Sequence, residues 1–547
     1  MLKNVIQRFR KLSPACLALL VTAPMLSANE APGQGEKLKI VFLMGQSNMV
    51  GHFHPGTGWY LTQPVYVPPA RTATAKSRYF NWKEFYWSGI RFATGSEAYN
   101  ARGKALIEER SELRRLWRSR YYDNFSRRAE KEGKTLENND WNTNEWGPPP
   151  QLQEQFKGMG TRQFMTIFLH QKAEEAGLYK RMAEHIESPE NKLHPEKALQ
   201  LIAKRDEGIA GDLKRVRDLF LNGATAEDYL ALEKQLAGSP RPKAENRLEH
   251  AKLLEDAINL PIAKRTYITA FGEVAGKKVK DAGVQYSSVT HGPLTIGYGK
   301  GPSRVGPEYP FGISFEDLVD GPVLLVKCAW GGTSLHTDWR PPSLATDDKP
   351  MGDRLRWALG HIREVLADPG KYHPDYNPEV GYELAGLVWF QGWNDAGNED
   401  YGKQLVHFIK DFRQAVKAPE LPVICGLLGH QAWAFNSFNG EVNSGMLHAA
   451  EHPELKGRVD LVNTLKYFPV ELGMKQSVAA AYGKESEAYR EAERIIGRAT
   501  SKDPTHYHGA AKFAYLTGDA MARKLVNLLQ GSTPSIHQEA KAIQDKN

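Results

Sequence analysis

Lys39-Ile40-Val41-Phe42-Leu43-Met44-Gly45-Gln46-Ser47-Asn48-Met49 is the stretch on which the fold turns. Ile40 to Met44 is an unbroken apolar run, the pattern of a strand buried on both faces, and Gly45 ends it in a loop. Such a strand belongs inside a sheet that helices cover on either side. Downstream the same texture recurs in a regular alternation. The runs Val323 to Cys328, Leu384 to Phe390, Val423 to Leu428 and Val459 to Thr464 read as strands. Asp353 to Ala367, Asp400 to Val416, Glu485 to Ile496 and Gly509 to Leu529 read as amphipathic helices. Strands alternating with helices imply an α/β fold with a parallel sheet covered on both faces. In such sheets chemistry collects in the loops beyond the carboxyl ends of the strands.

Four short segments fall at those ends. Ser47 leaves the first strand at a tight exit, where a hydroxyl is presented as a nucleophile requires; a Ser capping the next helix reads equally well. Met49 excludes the nucleophile elbow of α/β-hydrolases, which needs Gly two residues after the Ser. Trp330-Gly331-Gly332-Thr333-Ser334 follows the second strand, and paired glycines there suit either an oxyanion hole or a plain turn. Gln391-Gly392-Trp393-Asn394-Asp395 ends the third, with an amide that can donate to an oxyanion or cap a helix. Asp503-Pro504-Thr505-His506 precedes the last helix, spaced so that a carboxylate can orient an imidazole, although an Asp-x-x-His pair also starts ordinary helices. His508 competes with His506 for that role, and the Asp503 spacing favours His506. The order of the four segments, each after a strand or before the final helix, is what singles them out.

The 547 residues are 41 % hydrophobic, 25 % charged and 10 % aromatic, which excludes disordered, collagenous and disulfide-dense classes. The net charge of +7 owes four units to Lys3, Arg8, Arg10 and Lys11, ahead of any acidic residue, so no nucleic-acid partner is implied. That basic start, the apolar Ala15 to Ala23 and Met25-Leu26-Ser27-Ala28 read as a signal peptide, residues 1–28, cleaved after Ala28. The expectation is an exported protein, periplasmic or extracellular, with no stable membrane insertion after cleavage, the apolar stretch being shorter than the ~20 residues a span needs. Of the three cysteines Cys16 lies in the signal, and Cys328 and Cys425 sit in strand-like runs as buried free thiols. Residues 63–261 change texture: between 101 and 260 there are 28 Lys and Arg against 27 Asp and Glu. This charge-laced stretch reads as a helical insertion that divides the core into 37–62 and 262–530, with 531–547 a polar tail. Thr266 to Gly301, rich in β-branched residues and Gly, reads as short strands and turns that return to the core.

The four segments resemble the signature blocks of the SGNH hydrolase superfamily. Within it they resemble the sialate O-acetylesterase-like group, which also contains carbohydrate esterase family 6 acetylxylan esterases. Gly306-Pro307-Glu308 is similar to an element that precedes the group's glycine block. The resemblance covers about Lys37 to Pro55 and Arg304 to Leu529, roughly half the chain, and not the insertion. It implies a flavodoxin-like three-layer α/β/α core and hydrolysis of acetyl esters on sugars without a metal or other cofactor. Carried over by position, Ser47 would be the nucleophile, His506 the general base and then acid, and Asp503 its orienter. The Ser47 N–H, a glycine N–H from Gly331 or Gly332 and the Asn394 side chain would form the oxyanion hole. Gln46, Glu308, Gln391 and Trp393 are candidate substrate contacts. Two departures stand out: Trp393 occupies a position where many members have Glu, and Thr333 one where members of this subgroup often carry Lys. General SGNH esterases acting on non-sugar esters, and an inert carbohydrate-binding protein of the same fold, are the competing readings. Neither His52 and His54 nor His506 and His508 have a recognisable metal-ligand spacing.

Overall fold

The computed structural model describes residues 35–64, 175, 177, 207–279, 287–429, 440–473, 483–502, 504–532 and 534. The signal segment, most of 63–261, Asp503 and nearly all of the tail lie outside the described residues. Ile40 to Met44 form the heart of β1 (Leu38–Gly45). β2 (Thr266–Gly272), β3 (Lys277–Lys278), β4 (Ser288–Pro293), β5 (Val323–Ala329), β6 (Tyr382–Phe390), β7 (Val423–Gly426) and β8 (Val459–Val462) complete one sheet, ordered β3-β4-β2-β5-β1-β6-β7-β8. Six strands from β2 to β8 run parallel, and β3 and β4 are antiparallel. The sheet departs from the expected parallel arrangement at one edge, where the half-exposed β4 runs antiparallel to both β2 and the short β3. β2 in turn is a buried parallel strand two places from the centre rather than part of an arm.

Helices cover both faces. α1 (Ala210–Phe220), α2 (Ala226–Ala237) and α3 (Arg247–Ile258) come first, then α4 (Glu308–Leu318), α5 (Asp353–Ala367), α6 (Tyr401–Ala415), α7 (Gly440–Glu451), α8 (Glu487–Ala499) and α9 (Ala511–Leu529). Alternation along β6 shows the two layers: Trp389 packs on Phe408 of α6, with centroids 4.4 Å apart, whereas Gly386 gives way to Leu525 of α9. α4 was not legible as a helix because its residues from Glu308 to Phe315 are all buried, between the sheet and α9, which leaves no polar stripe. The two helices approach closely at Gly518, where a Cβ would stand 2.8 Å from the Phe311 nitrogen and the Pro307 oxygen. α7 was also absent from the sequence reading.

The described part of the insertion packs on this α4–α9 layer. Phe220 of α1 is fully buried and stacks on Tyr515 of α9 at 4.6 Å. Arg215 reaches Asp519 at 2.8 Å and Asp317 at 3.0 Å, and Arg523 reaches Asp212 at 2.7 Å. Cys328 and Cys425 are buried free thiols, as expected. No helix among the described residues is long and apolar enough to cross a membrane.

Candidate active site

β5 and β6 pair with β1 on its two sides, and all three run parallel, so their exits lie side by side. Gly45 pairs with Ala329 on one side and Phe390 on the other. The Ser47, Gly331–Gly332 and Trp393–Asn394 segments therefore leave the sheet at one level, at the crevice where open α/β sheets bind ligands. Gly45 is required there, since a Cβ would fall 2.2 Å from the Phe390 carbonyl oxygen. Ser47 opens a single helical turn, Ser47–Val50. The chain then runs back along two neighbours: Phe53 bridges Val305, and His54 bridges Ala510. That second bridge brings the segment before α9 to Ser47.

In that segment Tyr507, His508 and Gly509 all have positive φ, at 51°, 60° and 62°. Left-handed backbone at two non-glycine residues costs of order 1–3 kcal/mol each and needs surrounding structure to hold it. Tyr507 supplies this: its ring is buried, stacks on Phe513 at 3.6 Å, and its hydroxyl accepts from the Gly429 N–H at 3.0 Å. The turn directs the two histidines apart. His506 lines the cleft, and His508 is buried against Phe468.

The cleft holds about 670 Å³ and is lined by Ser47, Gly331, Gly332, Trp393, Asn394 and His506 from the expected set. Asp503 lies outside the described residues. Three expected substrate contacts do not reach the cleft. Glu308 is fully buried, accepts from the Gly306 N–H at 2.7 Å and pairs with Lys327 at 2.8 Å. Lys327 also donates to the carbonyls of Val50 and Tyr298, each at 2.9 Å, so this pair fastens the end of the Ser47–Val50 turn to the sheet. Burial lowers the Lys327 pKa, and Glu308 opposes the shift. Gln391 is fully buried and donates to the Thr333 carbonyl at 2.9 Å and to Asp395 at 2.6 Å. Asp395 in turn accepts from the Leu335 N–H at 2.6 Å, tying the asparagine segment to the glycine segment. Gln46 is 2 % exposed; its side chain accepts from the Gly392 N–H at 2.9 Å and donates to Asn394 at 3.2 Å. All three are engaged in holding the loops together and do not line the cleft. A polar side chain at a strand exit can turn inward or outward, and sequence does not distinguish the two.

The cleft also contains residues that the sequence reading did not assign to it: His52, Glu273, Lys300, Ser303, Arg304 and Lys502. Glu273 directly follows β2 and so carried the strand-end signal, hidden because β2 had been read as part of a return arm. Its carboxylate accepts from the Gly331 N–H at 2.9 Å and pairs with Lys300. With the Gly331 N–H engaged, Gly332 is the glycine whose backbone can serve an oxyanion. The Gly332 φ of 68° is one that glycine adopts readily. The His52 ring lies against that of His506, centroids 4.1 Å apart and planes tilted by 42°. Burial, then His506 and the nearby cations Lys300, Lys502 and Arg304, push the His52 pKa down to about 3, so its ring is neutral at pH 7. Among the described residues no group of three His, Cys, Asp or Glu side chains could hold a metal.

A family model described as carbohydrate esterase, sialic acid-specific acetylesterase matches residues 285–464. The matched segment contains Gly331, Gly332 and Asn394; Ser47 and His506 lie outside it and are brought to it by the fold. No curated protein sequence matches the chain significantly. Three solved structures are similar over part of the chain. A protein from Arabidopsis thaliana is 17 % identical, over 40 % of this chain and 82 % of its own, with a TM-score of 0.25. NanS is 14 % identical over 37 % and 69 %, with a TM-score of 0.26. XAC1771, described as a novel carbohydrate acetylesterase from Xanthomonas citri, is 14 % identical over 40 % and 49 %, with a TM-score of 0.23. Residues 285–464, on a mostly parallel α/β sheet, thus match the sialic acid-specific acetylesterase family of carbohydrate esterases, the group that the sequence motifs resemble.

Proposed function

We propose that the protein is a serine esterase that removes acetyl groups from carbohydrates. The observation that carries this reading is the convergence of Ser47, His506, Gly332 and Asn394 on one cleft from four separate segments. Ser47 Oγ attacks the ester carbonyl carbon while His506 takes its proton. The carbonyl oxygen, now negative, is held by the Ser47 and Gly332 N–H groups and the Asn394 amide. The C–O bond to the sugar breaks, and the sugar oxygen leaves with the proton from His506. Water then attacks the acetyl-serine, His506 takes a proton from it, and acetate departs as the proton returns to Ser47. Asp503, three residues before His506, orients the imidazole in this scheme.

Trp393 forms an aromatic wall against which a sugar ring can lie. The described part of the insertion contributes no residue to the cleft lining and serves as an outer layer on the α4–α9 face. Export after cleavage near Ala28 would place the enzyme where polymeric or cell-surface sugars are met.

The test is acetate release from acetylated xylan, acetylated sialic acid and a small chromogenic acetyl ester, by mature protein and its Ser47→Ala variant, in EDTA. Release that survives EDTA and disappears in the variant supports the proposal, and the order of rates ranks sugar against non-sugar esters. No release from any of the three, with both proteins folded, would favour an inert binding protein.

A further inference from the structure

We propose that Gln46 is a positioning residue for this reaction: it sets which end of the Asn394 amide faces the cleft. The inference rests on the reading of Asn394 as an oxyanion donor. A side-chain amide has one accepting oxygen and one donating NH2 of nearly the same shape, so a residue used as a donor needs something to fix its polarity.

Here the reference is a backbone group. The Gly392 N–H can only donate, and it meets Gln46 Oε1 at 2.9 Å. The other end of the Gln46 amide is therefore the donor, and its Nε2 lies 3.2 Å from Asn394 Oδ1. A donor must meet an acceptor, so the oxygen of Asn394 is turned inward and its Nδ2 is left for the cleft that Asn394 shares with Ser47 and His506. One backbone donor thus sets the polarity of the Asn394 amide through a single intervening side chain, Gln46.

Gln46 is itself held firmly. It is 2 % exposed, its N–H donates to the Phe390 carbonyl at 3.2 Å, and its carbonyl accepts from the Val50 N–H at 2.8 Å. Because Gln46 immediately precedes Ser47, the nucleophile and the orientation of the oxyanion donor are fixed by adjacent residues.

Gln46→Glu separates positioning from plain structural support. The introduced carboxylate keeps the size of the side chain, and one oxygen still accepts from Gly392. The other oxygen now faces Asn394 and requires a donor, so the amide turns over and presents its oxygen to the developing oxyanion. Measured at a pH of about 8, where the carboxyl is ionised, kcat is expected to fall about 10²- to 10³-fold, as in Asn394→Ala, with KM within about threefold. In the Asn394→Ala background, Gln46→Glu should cost less than about twofold more, because the amide it inverts is gone. Thermal midpoints of all four proteins distinguish lost folding from lost orientation, and Gln46→Met, which removes the bridge without imposing inversion, should lose less kcat than Gln46→Glu. If Asn394→Ala leaves kcat unchanged, the oxyanion reading falls and this inference with it. If Asn394→Ala lowers kcat while Gln46→Glu does not, or if the two losses multiply, Gln46 does not act through Asn394 and the inference alone is overturned.

Discussion

Lys327 and Glu308 are both completely buried, and they join the core of the sheet to the back of the Ser47–Val50 turn. Lys327→Met removes the charge and three donated hydrogen bonds at once: to Glu308 Oε2 at 2.8 Å and to the Val50 and Tyr298 carbonyls at 2.9 Å each. The Glu308 carboxylate then remains buried with only the Gly306 N–H as partner. Breaking a buried pair by removing one member costs about 3–5 kcal/mol, since the remaining charge is uncompensated. Glu308→Gln should cost a similar amount, leaving the ammonium with two neutral carbonyls. The double variant buries no charge, so its loss should fall short of the sum of the two by at least about 1–3 kcal/mol. Urea unfolding followed by tryptophan fluorescence measures all four proteins. Against a total stability of about 5–15 kcal/mol the single losses are large and easily read. Single losses below about 1 kcal/mol, or two losses that simply add, would refute the view that this pair acts as a coupled clamp under the nucleophile.

Phe220→Ala should cost about 3–5 kcal/mol, because the ring is fully buried on Tyr515 and the hole lies between two helices. Denaturation should show α1 and the core melting in one transition; a separate early transition would contradict the packing of the insertion on α9. His54 has its pKa lowered to about 3, by burial first and then by Arg304 and His250, and its Nδ1 accepts from the Gly56 N–H at 3.0 Å. The folded value lies below the unfolded one of about 6.5. Its contribution is therefore intact above pH 6.5 and is lost as the pH falls toward 3, where the unfolded chain binds a proton that the folded one refuses. His54→Asn keeps an acceptor for Gly56 and should flatten the acid loss of stability by up to about 1.4 kcal/mol per pH unit; an unchanged slope between pH 6 and 4 would contradict it.

The elements most legible in the sequence were those with one clear burial pattern. β1 and β5 are apolar runs bounded by glycines, and α5 and α6 carry a one-sided apolar face, so their types and nearly their bounds could be read. α4 could not, because a helix buried all round has no period to detect. Lys327, a single cation within Val323–Ala329, was a sequence signal that a buried carboxylate must lie nearby, and Glu308 supplies it. The cleft residues at strand exits were found by position alone. Lys300 and Arg304 were not, since the turns between Gly297 and Gly301 decide where they point. Glu308, Gln391 and Gln46 were read as substrate contacts because sequence shows polarity but not the direction of a side chain.

The central claim is that Ser47 is the nucleophile, and covalent labelling with a fluorophosphonate followed by peptide mass spectrometry tests it most directly. The account predicts one label, on Ser47, absent from Ser47→Ala and slowed in His506→Ala. Failure of the folded protein to label, or a label on Ser303 across the same cleft, would contradict it.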